Sequence, residues 1–133
     1  MNKLPSNEIT FEFNKKGKNS GVLYAGNFTY KRLTIGSQNK AAVYTATMNG
    51  DLKNLDTTTR SINEMLGWLR YGLIDYPEWW SDSEYGLDLY DVDIVQELYN
   101  KVMKFEMNWI KKLKDGTDST RKNSDNTDTG SKQ

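Results

Sequence analysis

Cysteine and histidine are both absent from the 133 residues of this chain. Without cysteine the protein can form no disulfide and has no thiolate to act as a nucleophile or to bind a metal. Without histidine it also lacks the side chain that most often serves as a general base or metal ligand near neutral pH. We therefore expect a protein that is not an enzyme and that carries no cofactor or metal ion.

Long apolar runs and an excess of charge of either sign are lacking as well. Lys plus Arg number 18, as do Asp plus Glu, so the formal net charge is zero. No global field would attract nucleic acid or a lipid surface, and binding to nucleic acid is disfavoured. The first ten residues contain no signal-like apolar run, and no window approaches the roughly eighteen apolar residues of a membrane span. We expect a soluble, intracellular, one-domain protein that does not contact a membrane.

Hydrophobic alternation near the N terminus predicts the first strand of a small antiparallel sheet. Residues 1–8 are polar and include Pro5, which indicates an irregular lead-in. Ile9, Phe11 and Phe13 then alternate with polar side chains, as in a strand with one buried face.

Turn-forming residues divide the next part of the chain. Two glycines and short polar side chains in residues 15–21 favour a hairpin turn, with a return strand over residues 22–24. A break at residues 25–27 predicts a third short strand over residues 28–32. The aromatic residues of this sheet are expected to share one buried face: Phe11, Phe13, Phe28 and Tyr30.

The remaining apolar residues recur at helical spacing and predict three helices. The first runs from Thr34 to the Asn49-Gly50 stop. The second begins at a cap supplied by Asp56 or by one of the three threonines after it, and it is ended by Pro77. The third spans Val92 to Lys114, with Asp91 or Asp93 as its cap. Their expected buried residues are, in order, Ala41, Ala42, Tyr44 and Met48; Ile62, Met65, Leu66, Leu69 and Leu73; and Val95, Leu98, Val102, Phe105, Trp109 and Leu113.

The chain outside these elements predicts a loop and a tail. Residues 81–91 have no clear period and indicate an ordered loop, with Leu87, Leu89 and Tyr90 as anchors. Residues 115–133 contain no aliphatic or aromatic side chain, which predicts a disordered tail. The fold class expected is therefore α+β, with a three-stranded antiparallel sheet on three helices in a single domain over residues 9–114.

Seven carboxylates lie within nineteen residues without a lysine or arginine between them: Asp75, Glu78, Asp82, Glu84, Asp88, Asp91 and Asp93. The structural interpretation is a solvated loop, with Asp91 and Asp93 as helix caps. Of the functional interpretations, we favour a docking surface for a basic partner. A divalent-cation site comes second and a paired-carboxylate catalytic site third.

Aromatic residues accompany this acidic stretch. Tyr76, Trp79 and Trp80 surround Pro77 and Glu78, and Tyr85 follows. We expect one tryptophan to close the core and its neighbour to be exposed, because consecutive side chains point in different directions. An exposed tryptophan beside carboxylates would serve as an anchor for another protein.

Basic residues gather on the predicted hairpin: Lys15, Lys16, Lys18, Lys31 and Arg32. The structural interpretation is solubility and protection of an edge strand. The functional alternatives are binding to phosphate or head-to-tail self-association, in which the hairpin of one copy meets the acidic loop of the next.

Several segments together resemble the tail assembly chaperones of tailed bacteriophages. They are the N-terminal hairpin, the Tyr30–Gly36 lead into a helix, its Asn49-Gly50 stop, the capped helix ending in Asp75–Trp80, the Leu89–Asp91 lead into the last helix, and the Phe105-Glu106 pair. The resemblance spans residues 9–113. It implies a non-enzymatic protein of the host cytoplasm that binds tape measure and tail tube subunits during assembly and is absent from the finished particle.

The resemblance also implies where partners bind. The candidates are the exposed members of the acidic aromatic stretch: Tyr76, Glu78, Trp79, Trp80, Asp82, Glu84, Tyr85 and Asp88. Two alternative functions remain open. One is a permanent virion subunit of the head-completion, neck or tail type, which could form a homo-oligomer. The other is a phage-encoded acidic inhibitor of a host protein, whose surface would mimic nucleic acid.

Overall fold

The computed structural model describes residues 4–50 and 55–127, and the side chains of residues 4–50 and 55–115. The elements in chain order are β1 (Glu8–Lys16), β2 (Leu23–Lys31), α1 (Ile35–Asn49), α2 (Thr57–Gly72), β3 (Leu73–Asp75), α3 (Glu78–Asp82) and α4 (Val92–Thr127). The strands form one antiparallel sheet in the order β1-β2-β3. The predicted α+β class is confirmed.

One face of the sheet carries the aromatic side chains, as the alternation predicts. The β1–β2 register places Ile9 opposite Tyr30 and Phe11 opposite Phe28. Phe13, Phe28 and Tyr30 are fully buried, and Phe11 stacks on Phe28 with ring centroids 5.8 Å apart. Residues between these positions point to the opposite, solvated face.

The third strand is not where the sequence predicts it. Residues 22–24 and 28–32 do not form two strands, because β2 continues through Gly26 without a break. Gly26 pairs with Phe13 at a positive φ of 152°, which glycine adopts without steric cost. The free edge of β2 is paired instead by β3, in which Leu73 lies opposite Tyr30.

Helix α2 is shorter than predicted. Asp56 caps it as expected, with its Oδ1 accepting from the Thr59 amide at 2.8 Å. Leu66 and Leu69 are buried, and Ile62 and Met65 pack against the core in part. The helix ends at Gly72 rather than at Pro77, because the next three residues pair with β2.

Helix α1 crosses α2 at close range through small residues. Ala41 is buried, and a Cβ at Gly67 would come within 2.9 Å of the Ala41 carbonyl oxygen. Tyr44 and Met48 are half-buried as predicted, but Ala42 is exposed, which corrects the expected stripe. Ala41 is the one buried residue of α1.

Helix α4 begins at Val92 as predicted and supplies the other wall of the core. The buried residues Val95, Leu98 and Val102 confirm the stripe, and Ile94 joins them. Leu113 is 38 % exposed, contrary to the prediction, because the core ends near Trp109.

The far end of α4 also differs from the prediction. The helix runs to Thr127, past the predicted end at Lys114. For the predicted disordered tail, residues 115–133, the side chains from 116 and the backbone from 128 lie outside the described residues.

The short helix α3 is not predicted by the sequence, and its last two residues lie in the predicted loop over residues 81–91. Leu89 packs against the core as expected. Leu87 and Tyr90 do not act as anchors, since they are 47 % and 80 % exposed. Residues 83–88 form consecutive turns.

Candidate protein-binding surface

Residues 75–88, the acidic segment, connect β3 to the turns before α4. All five carboxylates of this segment are exposed: Asp75, Glu78, Asp82, Glu84 and Asp88. The segment contains no lysine or arginine. Its outer surface is therefore uniformly negative.

The two tryptophans of the acidic segment face inward. Trp80 is fully buried and meets Phe28 edge to face, with ring centroids 6.2 Å apart. Trp79 is half-buried, its indole N–H donates to the Ala25 carbonyl at 2.9 Å, and its ring lies 4.9 Å from that of Tyr24. Trp80 confirms that one tryptophan closes the core, whereas the prediction that its neighbour is an exposed anchor is wrong for Trp79.

Close packing of Pro77 on the sheet explains the direction of Trp79. A Cβ at Gly26 would lie 2.8 Å from Pro77 atoms, so only glycine allows this approach. Because Pro77 rests on β2, the first turn of α3 starts against the sheet and turns both indoles toward it.

The tyrosines of the acidic segment pack on one another and on a cation. The Tyr76 and Tyr85 rings meet edge to face at 5.7 Å, and the Arg70 guanidinium lies 3.7 Å from the centroid of Tyr85. Glu84 and Tyr85 both have positive φ, near 54° and 55°, which is unfavourable for side-chain-bearing residues. The packing of Tyr85 on Arg70 offsets this cost and fixes the position of Glu84.

Asp91 holds the β1–β2 turn rather than capping α4 with its side chain. Its Oδ1 accepts from the amides of Asn19 and Ser20 at 2.7 and 2.9 Å. Its Oδ2 accepts from the Ser20 hydroxyl at 2.5 Å and from the Tyr24 hydroxyl at 3.3 Å. Asp91 is fully buried, and a Cβ at Gly17 would overlap its carboxylate. We call this arrangement the hairpin clasp.

The hydrogen bonds of the hairpin clasp favour the ionised form of Asp91. The Ser20 hydroxyl, followed by the amides of Ser20 and Asn19, lowers the pKa of the Asp91 carboxyl, and burial opposes this effect only in part. Asp93 adds a second link, since its Oδ2 accepts from the Lys18 amide at 3.1 Å and lies 3.9 Å from Lys15 Nζ. The predicted capping role of these two carboxylates is thus replaced by contacts with the hairpin.

The basic hairpin residues do not form one free cationic surface. Lys15 approaches Asp93, and Arg32 donates through Nε to Glu106 at 2.9 Å. Lys16, Lys18 and Lys31 are exposed. Lys15 and Arg32 of the hairpin therefore contact carboxylates of their own chain. These contacts satisfy part of the charge attraction that suggested head-to-tail association.

A polar network that the sequence did not predict joins β2 to α2 and α4. The Tyr30 hydroxyl donates to Glu106 at 2.5 Å and accepts from the Trp68 indole N–H at 2.9 Å. Burial and the Glu106 carboxylate raise the pKa of Tyr30, so the hydroxyl keeps its proton. The signal for this network in the sequence is Glu106, an acidic residue directly after Phe105 of the α4 stripe.

The carboxylates of the described residues do not gather into a metal-binding group. Within residues 4–50 and 55–115, no three carboxylates lie close enough to hold a metal ion. The described carboxylates of the acidic segment point to solvent rather than converging in a cleft.

Comparison with known proteins does not place the chain in a family. No family model, curated protein or solved structure matches the chain. No described helix is long and apolar enough to cross a bilayer.

Proposed function

We propose that this protein is a non-catalytic phage assembly factor that binds tail structural proteins through the acidic segment. The observation that supports it is the division of side chains in that segment. Its five carboxylates are exposed, whereas its aromatic rings pack into the fold. A surface held in this way loses little conformational entropy when a partner binds.

The partner chemistry follows from the charge and the neighbouring apolar groups. Five exposed carboxylates, none of which forms an ion pair within the described residues, suit a segment of a structural protein that is rich in lysine or arginine. Leu87 and Tyr90 replace the tryptophans as the exposed apolar contacts, because they are 47 % and 80 % exposed. The resemblance to tail assembly chaperones provides the identity of the partner class, tape measure or tail tube subunits.

The first test is mass spectrometry of purified phage particles and of the lysate of infected cells. An assembly factor should occur in the lysate, co-purify there with tail proteins and be missing from particles. A stoichiometric amount in the particle would overturn the chaperone function in favour of a permanent virion subunit. Co-purification with a host protein alone would instead support the inhibitor.

A charge-reversal pair tests the surface itself. Asp82→Lys with Asp88→Lys should abolish co-purification of tail proteins, because it places lysines opposite a basic partner. The matched control, Glu64→Lys with Asp115→Lys, makes the same charge change at exposed positions outside the acidic segment. Equal capture by both double variants would contradict binding through the acidic segment.

A further inference from the structure

A groove between β1 and α4 lies apart from the acidic segment. Ile9 and Phe11 of β1 line one wall, and Phe105 and Trp109 of α4 line the other. Its volume is about 480 Å³, which is enough for several side chains. We call it the β1–α4 groove.

The rim of the β1–α4 groove is mainly cationic. Lys101, Lys104 and Lys112 of α4 line it, with Glu8 as the one carboxylate among its lining residues. None of the three lysines forms an ion pair with a carboxylate in the described part of the chain. The groove therefore combines an aromatic floor with a surplus of positive charge.

The outer edge of β1 lies beside this groove and has unpaired backbone groups. The Arg32 amide donates to the Asn7 carbonyl at 2.9 Å, and the Gly17 amide donates to the Val22 carbonyl at 2.8 Å. In an antiparallel pair this pattern directs the backbone N–H and C=O groups of the odd-numbered residues of β1 toward β2. The backbone groups of the even-numbered residues point outward. The Ser6 hydroxyl bonds the amide and carbonyl of Glu8. The outward backbone groups of Thr10, Glu12 and Asn14 have no hydrogen-bond partner within the described residues.

The strongest protection of an edge strand lies at the ends of β1, and Glu12 is the one charged side chain between Thr10 and Asn14. Pro5 precedes the strand, and Lys15 and Lys16 close it. Between them the β1–β2 register runs without a bulge, over roughly 13 Å from Thr10 to Asn14. This open stretch is long enough to pair with about five residues of an added strand.

We propose that the edge of β1 and the β1–α4 groove together bind an extended acidic segment of a partner protein by β-strand addition. Alternate side chains of the added strand enter the groove, where aromatic rings and lysines select apolar and acidic residues. The intervening side chains lie beside Thr10 and Glu12, where polar or basic residues fit. This site does not depend on the acidic segment, so it stands if the proposed assembly function fails.

A display library of random ten-residue peptides is the first probe. Selection against the full chain should enrich peptides with acidic and apolar residues at alternate positions. Enrichment of basic peptides, or no enrichment, would overturn the proposal. The most enriched peptide, labelled with a fluorophore, then serves for titration by fluorescence anisotropy.

Charge reversal on α4 tests the groove. Lys104→Glu with Lys112→Glu should weaken binding of the labelled peptide about tenfold or more. The matched control is Lys111→Glu with Lys114→Glu, which changes the same helix and the same charge outside the groove. Equal loss in both variants would overturn a specific site.

Proline substitution tests strand addition. Glu12→Pro removes one outward N–H without touching the β1–β2 ladder, so it should abolish binding, whereas Glu12→Thr should retain it. Circular dichroism verifies that each variant folds. A copy of the peptide with N-methyl groups at alternate residues makes the same test on the unaltered protein, and it should not bind.

A second copy of the chain is the competing occupant of the edge. Sedimentation velocity of the protein without peptide should give a monomer. Association that disappears in Glu12→Pro would show that β1 pairs with β1 of another copy, and it would overturn the proposal of an acidic partner segment.

Discussion

At the scale of single residues, Asp91 has the most consequential environment. It is a fully buried carboxylate whose partners are Asn19 and Ser20 of the β1–β2 turn and Tyr24 of β2. Asn19 precedes Asp91 by 72 residues. Two amides and two hydroxyls satisfy its oxygens. One side chain thereby fixes where the hairpin lies on the helical layer.

Replacing this carboxylate should reduce stability in a pH-dependent way. Asp91→Asn should lower the free energy of unfolding at pH 7, because an amide cannot accept four hydrogen bonds as a carboxylate does. The pKa of Asp91 is lower in the folded state than its ordinary value of 3.8. Its stabilisation is therefore present above that value and is lost as the pH falls through the folded pKa.

Urea denaturation of the two proteins at neutral and acidic pH checks this expectation. The difference between wild type and Asp91→Asn should shrink below about pH 4. Asp88→Asn, at an exposed carboxylate, is the matched control and should change stability little at either pH. An equal difference at both pH values would contradict the role of the ionised carboxylate.

At the scale of elements, the fold depends on two helices that cover one face of the sheet. α2 contributes Leu66 and Leu69, α4 contributes Leu98 and Val102, and the sheet supplies Phe13 with other aromatic residues. These side chains come from distant parts of the chain, so each element is stabilised mainly by its partners rather than by its own propensity.

Leu69 tests the packing of α2. Its side chain is fully buried, so Leu69→Ala should cost on the order of 2 to 5 kcal/mol in the free energy of unfolding. Ile74→Ala removes a comparable side chain at a position that is 51 % exposed and should cost much less. A loss below about 1 kcal/mol for Leu69→Ala in chemical denaturation would contradict the proposed core.

Tyr30 tests the polar connection between β2, α2 and α4. Tyr30→Phe keeps the ring but leaves the Trp68 N–H without its acceptor and Glu106 without one donor, at an expected cost of about 1 to 3 kcal/mol. Tyr90→Phe, at an 80 % exposed tyrosine, is the control. Equal stability of both variants by calorimetry would show that the network contributes nothing.

At the scale of the whole molecule, a net charge of zero conceals two surfaces of opposite sign. The acidic segment presents five exposed carboxylates, and the β1–α4 groove presents three lysines. A protein with both can contact a basic and an acidic partner segment at the same time. This arrangement suits the proposed role in assembly, where several structural proteins must be brought together.

Truncation defines how much of the chain the fold requires. Residues 116–133 contain no aliphatic or aromatic side chain, so their removal should change the free energy of unfolding by less than about 0.5 kcal/mol. Truncation after Asn108 removes Trp109, which is 9 % exposed and donates to the Pro5 carbonyl at 3.2 Å. Only this second truncation should be destabilising in thermal denaturation, and a large loss from the first would contradict the prediction.

Local periodicity was enough to predict much of the fold. The alternation of Phe11 and Phe13 and the helical spacing of Leu66 and Leu69 identified the buried face of each element, because side-chain direction repeats with the backbone of the same segment. Asp56 was among the candidate caps for the same reason, since its hydrogen bond reaches only three residues along the chain.

Tertiary structure alone decided the features that depend on contacts between distant segments. Leu73–Asp75 became a strand because the free edge of β2 was available, although the helical spacing continued through Leu73. Trp79 turned inward because Gly26 admits Pro77. The Asp91 carboxylate bonds the hairpin turn rather than the first amides of α4, because Asn19 and Ser20 offer it amide and hydroxyl donors. The sequence by itself determined the main buried face of the strands and of α2 and α4, because that face follows from local periodicity, but not which distant groups the side chains would meet.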